Sequence, residues 1–138
     1  MTSIWLILYK LCGEILEANV ARVVESFRKR GYSVTSPRII RGLSGFDQQY
    51  DLSVANGKGE IVLDVASGPS MVAPEIVVAF FAKILDTKRQ RPILVCFAAL
   101  NHDAQSLVTM YKIETVIDSD INAIVKKLSA LFQTRAPS

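Results

Sequence analysis

Residues 50–66 read YDLSVANGKGEIVLDVA, and this stretch decides the fold. Tyr50 to Val54 alternates apolar and polar residues, as a half-buried strand does. Asn56-Gly57 is a strong signal for a tight β-hairpin. Glu60 to Ala66 is then the returning strand, and its nearly continuous apolar run predicts a central position in the sheet.

Helices and strands alternate around this hairpin. Apolar residues recur at helical spacing between Glu14 and Arg30, and a second, strongly apolar helix runs from Pro74 to Asp86. Pro92 to Leu100 is an apolar strand of the buried parallel type. The other predicted elements are a strand at 32–35, a helix from Asn101 to about 111, a strand at 115–117 and a helix from Ser119 or Asp120 to about Phe132. The order α-β-β-β-α-β-α-β-α predicts an α/β domain with a mixed sheet and helices on both faces.

Composition limits the class of protein. The chain has 138 residues, which predicts one domain over 1–138. It is 50% hydrophobic and 21% charged, which excludes a disordered protein. The net charge of +3 is compatible with an acidic partner. Cys12 and Cys96 form no CxxC pair, so a zinc ribbon and a thioredoxin-type site are excluded, and Cys96 is expected to be a buried thiol in a reducing compartment.

The two ends of the chain are expected to lie outside the main pattern. Residues 1–12 form an apolar segment that packs on the domain or serves as a surface for self-association. Its apolar run is too short to span a bilayer, so we expect a cytoplasmic protein that does not enter a membrane. Residues 134–138 are expected to be a frayed tail.

Acidic residues are the main candidates for chemistry. The chain has no phosphate-binding loop, no GxSxG elbow and no HExxH helix. Asp51 and Asp64 lie on the two strands of the predicted hairpin, so both carboxylates can meet at one end of the sheet. Two such carboxylates are ligands that Mg²⁺ accepts, and Glu17, at the border of the apolar face of the first helix, could add a third. The alternative is that the aspartates make local backbone hydrogen bonds and that Glu17 is solvated.

The same segments resemble the PD-(D/E)xK nuclease superfamily, most closely its archaeal restriction-endonuclease-like and Holliday-junction-resolvase-like branch. The resemblance covers roughly residues 14 to 117. It rests on Gly31-Tyr32-Ser33-Val34, Gly42-Leu43-Ser44-Gly45, Gln49-Tyr50-Asp51-Leu52 and Ile61-Val62-Leu63-Asp64-Val65-Ala66. The resemblance implies a restriction-endonuclease-like fold and DNA as the partner.

The resemblance also implies roles for individual residues. Asp51 and Asp64 would bind the divalent metal, Mg²⁺ if the protein is active. The lysine that activates water in the superfamily is replaced by Ala66. Alanine carries neither charge nor a hydrogen-bond donor, so the resemblance predicts a degenerate site with weak or no activity.

Lys83 is the candidate for a lysine that has moved to a neighbouring helix. It interrupts the most apolar helix of the chain, where a cation needs a partner. In one interpretation it completes an active Mg²⁺-dependent endonuclease with Asp51 and Asp64. In the other it pairs with Asp86, three residues further along the helix.

Clustered cations and apolar segments suggest partners. The cations that a phosphate backbone would meet are Arg38, Arg41, Lys88, Arg89 and Arg91. We therefore expect a DNA-binding nuclease-fold domain with a degenerate site. The alternatives are the active endonuclease and a non-catalytic interaction module, which could form a homodimer through the helix at 74–86 or the N-terminal segment.

Overall fold

The structure is a computed structural model that describes residues 4–67, 71–88 and 90–132, with the backbone alone at residues 5, 6 and 8–16. The helices are α1 (Ile4–Lys29), α2 (Pro74–Asp86), α3 (His102–Tyr111) and α4 (Ile121–Leu131). The strands are β1 (Ser33–Thr35), β2 (Arg38–Arg41), β3 (Asp47–Tyr50), β4 (Leu52–Asn56), β5 (Gly59–Ala66), β6 (Pro92–Cys96) and β7 (Glu114–Ile117).

The main sheet has five strands in the order β1-β4-β5-β6-β7. β1, β4 and β5 are antiparallel, whereas β5, β6 and β7 are parallel. The predicted hairpin is confirmed, because Val54 pairs with Ile61 and Asn56 with Gly59. β5 lies in the middle of the sheet, and the α/β class with a mixed sheet between helices is likewise confirmed.

Helices cover both faces of this sheet. α1 and α4 share one apolar core with β4 and β5, in which Phe27 and Leu63 are buried. α2 and α3 share the other core, in which Phe80 and Leu94 are buried. Because side chains alternate along a strand, Asp64 of β5 lies on the α2 face together with Val62 and Ala66.

Strands β2 and β3 were not predicted. They form a separate two-stranded antiparallel sheet, here called the β2–β3 ribbon (residues 38–50). The predicted strand 50–54 is wrong at its start, because β3 ends at Tyr50 and β4 begins at Leu52. Tyr50 is buried in the α2 core and Leu52 in the α1 core, so the chain bends between them at Asp51. The sequence of β3 is polar and lacks the alternation of apolar and polar residues that predicts a strand.

Helix α1 is longer than predicted. It begins at Ile4 instead of Glu14, so much of the N-terminal segment is helical. Gly13 interrupts the pattern, but one glycine in a helix costs only about 1 kcal/mol. Ile4 and Ile7 are 68% and 46% exposed, so these two residues do not pack in the core. Residues 1–3 and the predicted tail at 134–138 lie outside the described residues.

Two smaller predictions can also be checked. Cys96 is a buried free thiol, as expected, and burial raises its pKa to about 12. None of the helices in the described ranges combines the length and hydrophobicity that a bilayer crossing requires.

The packing of α1 predicts the effect of a core substitution. Phe27 is buried, and its ring meets the Tyr32 ring edge-on at 5.3 Å. Phe27→Ala should lower the free energy of unfolding by about 3–5 kcal/mol, because it removes apolar contacts and leaves a cavity. Urea unfolding measures this change. Met110→Ala is the control, since Met110 is 68% exposed and its loss should change stability by less than about 0.5 kcal/mol. Equal effects of the two substitutions would contradict the packing of α1.

Candidate active site

Asp51 and Asp64 lie side by side at the bend before β4. The pairing of Leu52 with Leu63 sets the register that brings them together. The backbone N–H of Asp51 donates to Oδ1 of Asp64 at 2.9 Å, and the N–H of Val65 donates to Oδ2 of Asp51 at 2.7 Å. Each carboxylate is therefore held by a backbone amide from the other strand, and both orientations are fixed by the hairpin.

Lys83 reaches this carboxylate pair from α2. Its Nζ donates to the Asp64 carboxylate and, at 2.9 Å, to the backbone carbonyl of Gln49. It also lies 5.1 Å from the centre of the Tyr50 ring, within the range of a cation–π interaction. The side chains of Lys83 and Asp64 are only 22% and 14% exposed, so this is a largely buried ion pair.

The predicted pairing of Lys83 with Asp86 is wrong. The Asp86 carboxylate accepts hydrogen bonds from Ser44 and Gln48 of the β2–β3 ribbon and its turn. Asp86 is the last residue of α2, where it meets this turn, whereas Lys83 lies one turn earlier, over β5. Sequence spacing alone does not distinguish these two directions.

Ala66, where the resemblance predicts a lysine, belongs to the apolar core. Ala66 is buried on the α2 face of β5, in the same cluster as Val72 and Phe80. A lysine there would have to enter close-packed side chains, which is costly. Lys83 instead brings an ammonium to the carboxylates from α2.

Burial dominates the electrostatics of Asp51. It raises the pKa of the carboxyl above its ordinary value of 3.8, and the nearby charge of Asp64 raises it further. The hydrogen bond from the Val65 amide and the charge of Lys83 act in the opposite direction. The fold thus disfavours the charged form of Asp51, although a cation bound there would favour it.

Two cavities meet at Asp51. The smaller one, of about 180 Å³, also contains Asp64, Lys83 and Phe80 in its lining. The larger one, of about 970 Å³, is here called the α1 groove. The polar residues in the lining of the α1 groove are Glu17, Glu25, Arg28, Lys29, Ser36, Gln49 and Asp51, and exposed Lys29 lies 3.1 Å from Glu25. Asp51 is the residue that the linings of the two cavities share.

The donor set suits one hard cation. Asp51 and Asp64 supply carboxylate oxygens, and no described residue donates a hydrogen bond to Oδ1 of Asp51. Mg²⁺ is commonly bound by one or two carboxylates, with water and phosphate oxygens completing its shell. Glu17 is exposed in the α1 groove, and the described part of the chain holds no group of three or more His, Cys, Asp or Glu residues that could bind a metal. Glu17 therefore does not complete a three-carboxylate set.

The predicted cations do not act as one group. Arg38 pairs with Glu60 at 3.4 Å, and exposed Arg41 lies 3.9 Å from Asp47. Lys88 is exposed, and Arg89 lies outside the described residues.

Arg91, the last of the predicted cations, makes its contacts within the domain. Its guanidinium is bound to Glu114 at 3.2 Å and to the carbonyl of Leu131 at 2.9 Å. It therefore links Glu114, at the start of β7, to the end of α4.

Several features of the site are not apparent from the sequence. The part of Gln49 that binds Lys83 is its backbone carbonyl, which no side-chain pattern can reveal. Tyr50 could have been noticed as a large aromatic residue directly before Asp51. Arg28 and Lys29 belong to a visible basic cluster, but only the fold places them beside Asp51 in the α1 groove.

Solved structures with a similar fold include two of low sequence identity. The crystal structure of AF1548, a protein of unknown function, superimposes with a TM-score of 0.58 at 15% identity, over 80% of this chain and 63% of that chain. Protein VC1899 from Vibrio cholerae gives a TM-score of 0.56 at 11% identity, over 83% of this chain and 32% of that chain. The chain thus spans less than two thirds of either protein. At these identities the similarity concerns the fold alone. No family model matches the sequence, and no curated protein matches it.

The raised pKa of Asp51 predicts a pH-dependent gain in stability for Asp51→Asn. The folded state holds its proton more tightly than the unfolded state, so the wild type loses stability as the pH rises from 3.8 through the raised pKa. The variant should therefore have the higher Tm at pH 7, and the two proteins should converge below pH 3.8. Thermal unfolding between pH 3 and 8 measures this difference.

Asp47→Asn is the matched control for this experiment. Asp47 is an exposed ribbon carboxylate near Arg41. The free energy of unfolding of the Asp47→Asn variant should therefore stay within about 0.5 kcal/mol of the wild-type value at every pH. An Asp51→Asn protein that is less stable than wild type at pH 7 would contradict the account of Asp51.

Proposed function

We propose that the protein is a metal-dependent nuclease whose active site, formed by Asp51, Asp64 and Lys83, cleaves DNA. The observation that carries this proposal is the binding of the Lys83 ammonium to Asp64, beside Asp51. Two carboxylates and a lysine are the residue types of the PD-(D/E)xK pattern, and their proximity here, with the lysine on α2 instead of β5, supports the proposal. This favours the active-enzyme hypothesis over the degenerate site that Ala66 alone suggested.

Asp51 and Asp64 would hold Mg²⁺. When bound, this ion neutralises charge on the phosphate and lowers the pKa of a coordinated water. The two backbone amides keep the carboxylates in place before the substrate arrives. Such preorganisation is a large part of the benefit that an enzyme site provides.

Lys83 would act on the phosphate or the attacking water. An ammonium has three N–H donors, and the described contacts with Asp64 and Gln49 use two of them. The third can donate to a phosphate oxygen or orient a water molecule.

The burial of the ion pair supports a functional role. A buried ion pair is weak support for stability, because desolvation of both charges opposes their attraction. Apolar residues would suit the interior of α2 better. The presence of Lys83 and Asp64 there supports a chemical role for the pair.

The α1 groove is the proposed path of the nucleic acid. It ends at Asp51, and Arg28 and Lys29 on its rim can meet phosphates. Arg41 on the β2–β3 ribbon is exposed enough to add a contact. The proposal includes a cytoplasmic location, where DNA is accessible and a free thiol such as Cys96 persists.

A second candidate function is a non-catalytic interaction through α2. Ile76, Val78 and Leu85 are 46%, 50% and 51% exposed on this helix. Val78 and Leu85 are seven residues apart and therefore share one face of α2, and this face would suit a second copy of the chain, as the homodimer hypothesis requires. Sedimentation analysis that gives a monomer at all concentrations would remove this candidate.

Cleavage assays test the proposed chemistry. With Mg²⁺ or Mn²⁺, the wild type should cut DNA, and Lys83→Ala and Asp64→Asn should each lower kcat by about 10²–10³-fold. The substrates are single-stranded, linear duplex and branched DNA. Lys58→Ala is the control, because Lys58 lies at the tip of the β4–β5 hairpin, away from the carboxylates.

Two results would contradict the proposal. A purified, folded wild type that cuts none of these substrates would restore the hypothesis of a degenerate site. Cleavage that persists in Asp64→Asn would indicate a contaminating nuclease or another site.

Salt dependence tests the α1 groove separately from cleavage. In EDTA, the logarithm of the association constant should fall linearly with the logarithm of the salt concentration. The double substitution Arg28→Ala, Lys29→Ala should weaken binding and make this slope shallower by about 2, one unit for each lost phosphate contact. Lys58→Ala should leave the slope unchanged. If the double variant and the control bind alike, the α1 groove is not the DNA path.

A further inference from the structure

The β2–β3 ribbon contributes to the Lys83 site although it is not part of the main sheet. Gln49 supplies the carbonyl that accepts from Lys83, and Tyr50 supplies the ring beside the ammonium. The ribbon is a separate two-stranded sheet, so hydrogen bonds of the five-stranded sheet do not hold it. Isolated two-stranded ribbons are marginally stable. The position of Gln49 therefore depends on the burial of its neighbour Tyr50 and on the contacts that attach the rest of the ribbon to α2.

Asp86 provides this attachment through its side chain and backbone. Its Oδ1 accepts from the Ser44 N–H at 2.7 Å, and its Oδ2 accepts from the Ser44 hydroxyl at 2.7 Å and from Nε2 of Gln48 at 2.8 Å. Its backbone carbonyl accepts from the Leu43 N–H at 2.9 Å. We name this set, Asp86 with residues 42–44 and Gln48, the Asp86 clasp.

Gly42 shows how closely the clasp is packed. A Cβ atom at this position would lie 1.8 Å from Oδ2 of Asp86, far inside van der Waals contact. Any side chain at residue 42 would force the turn and the Asp86 carboxylate apart. The same hydrogen bonds from Ser44 and Gln48 lower the pKa of Asp86 below its ordinary value, so its charged form is the one the turn binds.

The clasp and the Lys83 contact join the same two segments at successive points. Asp86 follows Lys83 by three residues, or about 4.5 Å along the helix. On the ribbon, Gln48 binds Asp86 and the next residue, Gln49, binds Lys83. Tyr50 and Thr87 add a hydroxyl–hydroxyl hydrogen bond of 2.6 Å beside them. A displacement of the turn at 42–45 would thus carry the Gln49 carbonyl away from Lys83.

We infer that Asp86 is a positioning residue that, through Ser44 and Gln48, holds the ribbon against α2 and so fixes the ammonium of Lys83 on Asp64, beside Asp51. The effect on cleavage rests on the proposed nuclease function, whereas the effect on the placement of Lys83 does not. Asp86 touches neither carboxylate, so its role is indirect.

The test measures the reactivity of Lys83 together with cleavage. Metal-free protein is treated with an N-hydroxysuccinimide ester, and mass spectrometry gives the acylation rate of each lysine. Asp86→Ala should raise the rate at Lys83 by about tenfold, as expected for the loss of a charge-assisted hydrogen bond to the ammonium. It should also lower kcat by a similar factor while KM changes little. Asp86→Asn keeps a carbonyl oxygen for the Ser44 N–H and should restore most of both quantities.

Three further variants separate positioning from general damage. Gly42→Ala pushes the turn away from Asp86 without changing α2, so it should reproduce the rise at Lys83. Ser44→Ala removes one hydroxyl and should give a smaller rise. Asp118→Ala is the matched control, because the Asp118 carboxylate, just after β7, likewise accepts from a backbone amide and a side chain, here those of Asp120 and Lys127. It should leave the Lys83 rate unchanged.

The outcomes distinguish this inference from the proposed function. A wild type that never cleaves, combined with a faster Lys83 reaction in Asp86→Ala and Gly42→Ala, would refute the nuclease proposal and support the positioning role. An unchanged Lys83 rate in folded Asp86→Ala protein would overturn the inference, whatever the activity. If Asp86→Ala does not fold, Gly42→Ala and Ser44→Ala decide, and an unchanged Lys83 rate in both would overturn it.

Discussion

The ion pair between Lys83 and Asp64 is the interaction on which the site depends. It joins α2 to the central strand β5 across an otherwise apolar face of the sheet. Two charges in such a place need further hydrogen bonds to be tolerated. Gln49 satisfies the ammonium and the Asp51 amide satisfies the carboxylate, so the hairpin and the β2–β3 ribbon both converge on this pair. The hydrogen bond from the Val65 amide holds Asp51 beside this pair. Because burial raises the pKa of Asp51, keeping this carboxylate charged lowers the stability of the folded protein.

The sequence predicted the parts of the fold that depend on local pattern. The Asn56-Gly57 turn and the apolar run 60–66 were enough to place β4 against β5 and β5 at the centre of the sheet. Helix α2 begins at Pro74 and ends at Asp86, as predicted. The β2–β3 ribbon escaped because β3 reads Asp-Gln-Gln-Tyr, which has no apolar alternation. Tyr50 at its end is buried, and the rest of the ribbon is attached to α2 by the Asp86 clasp, whose bonds connect residues about forty positions apart in the chain.

The candidate site was predictable in its residues and not in its connections. Asp51 and Asp64 stood out because carboxylates are rare beside apolar strand residues, and Lys83 because it interrupts an apolar helix. Which acid Lys83 binds depends on how α2 lies over β5, and that is a tertiary property. Ala66 suggested a lost function when read as a motif position. In the fold it is a core residue, and the ammonium comes from the helix above it.

The most direct test of this account is a crystal structure of the protein soaked with Mn²⁺, with anomalous data collected for the ion. The account predicts an anomalous peak bound by both Asp51 and Asp64, with Lys83 still within hydrogen-bonding distance of the site. The peak should disappear in Asp64→Asn crystals. A well-ordered site with no peak at high Mn²⁺ concentration, and with Lys83 paired to Asp64 in its place, would contradict the claim that these residues form a metal-dependent active site.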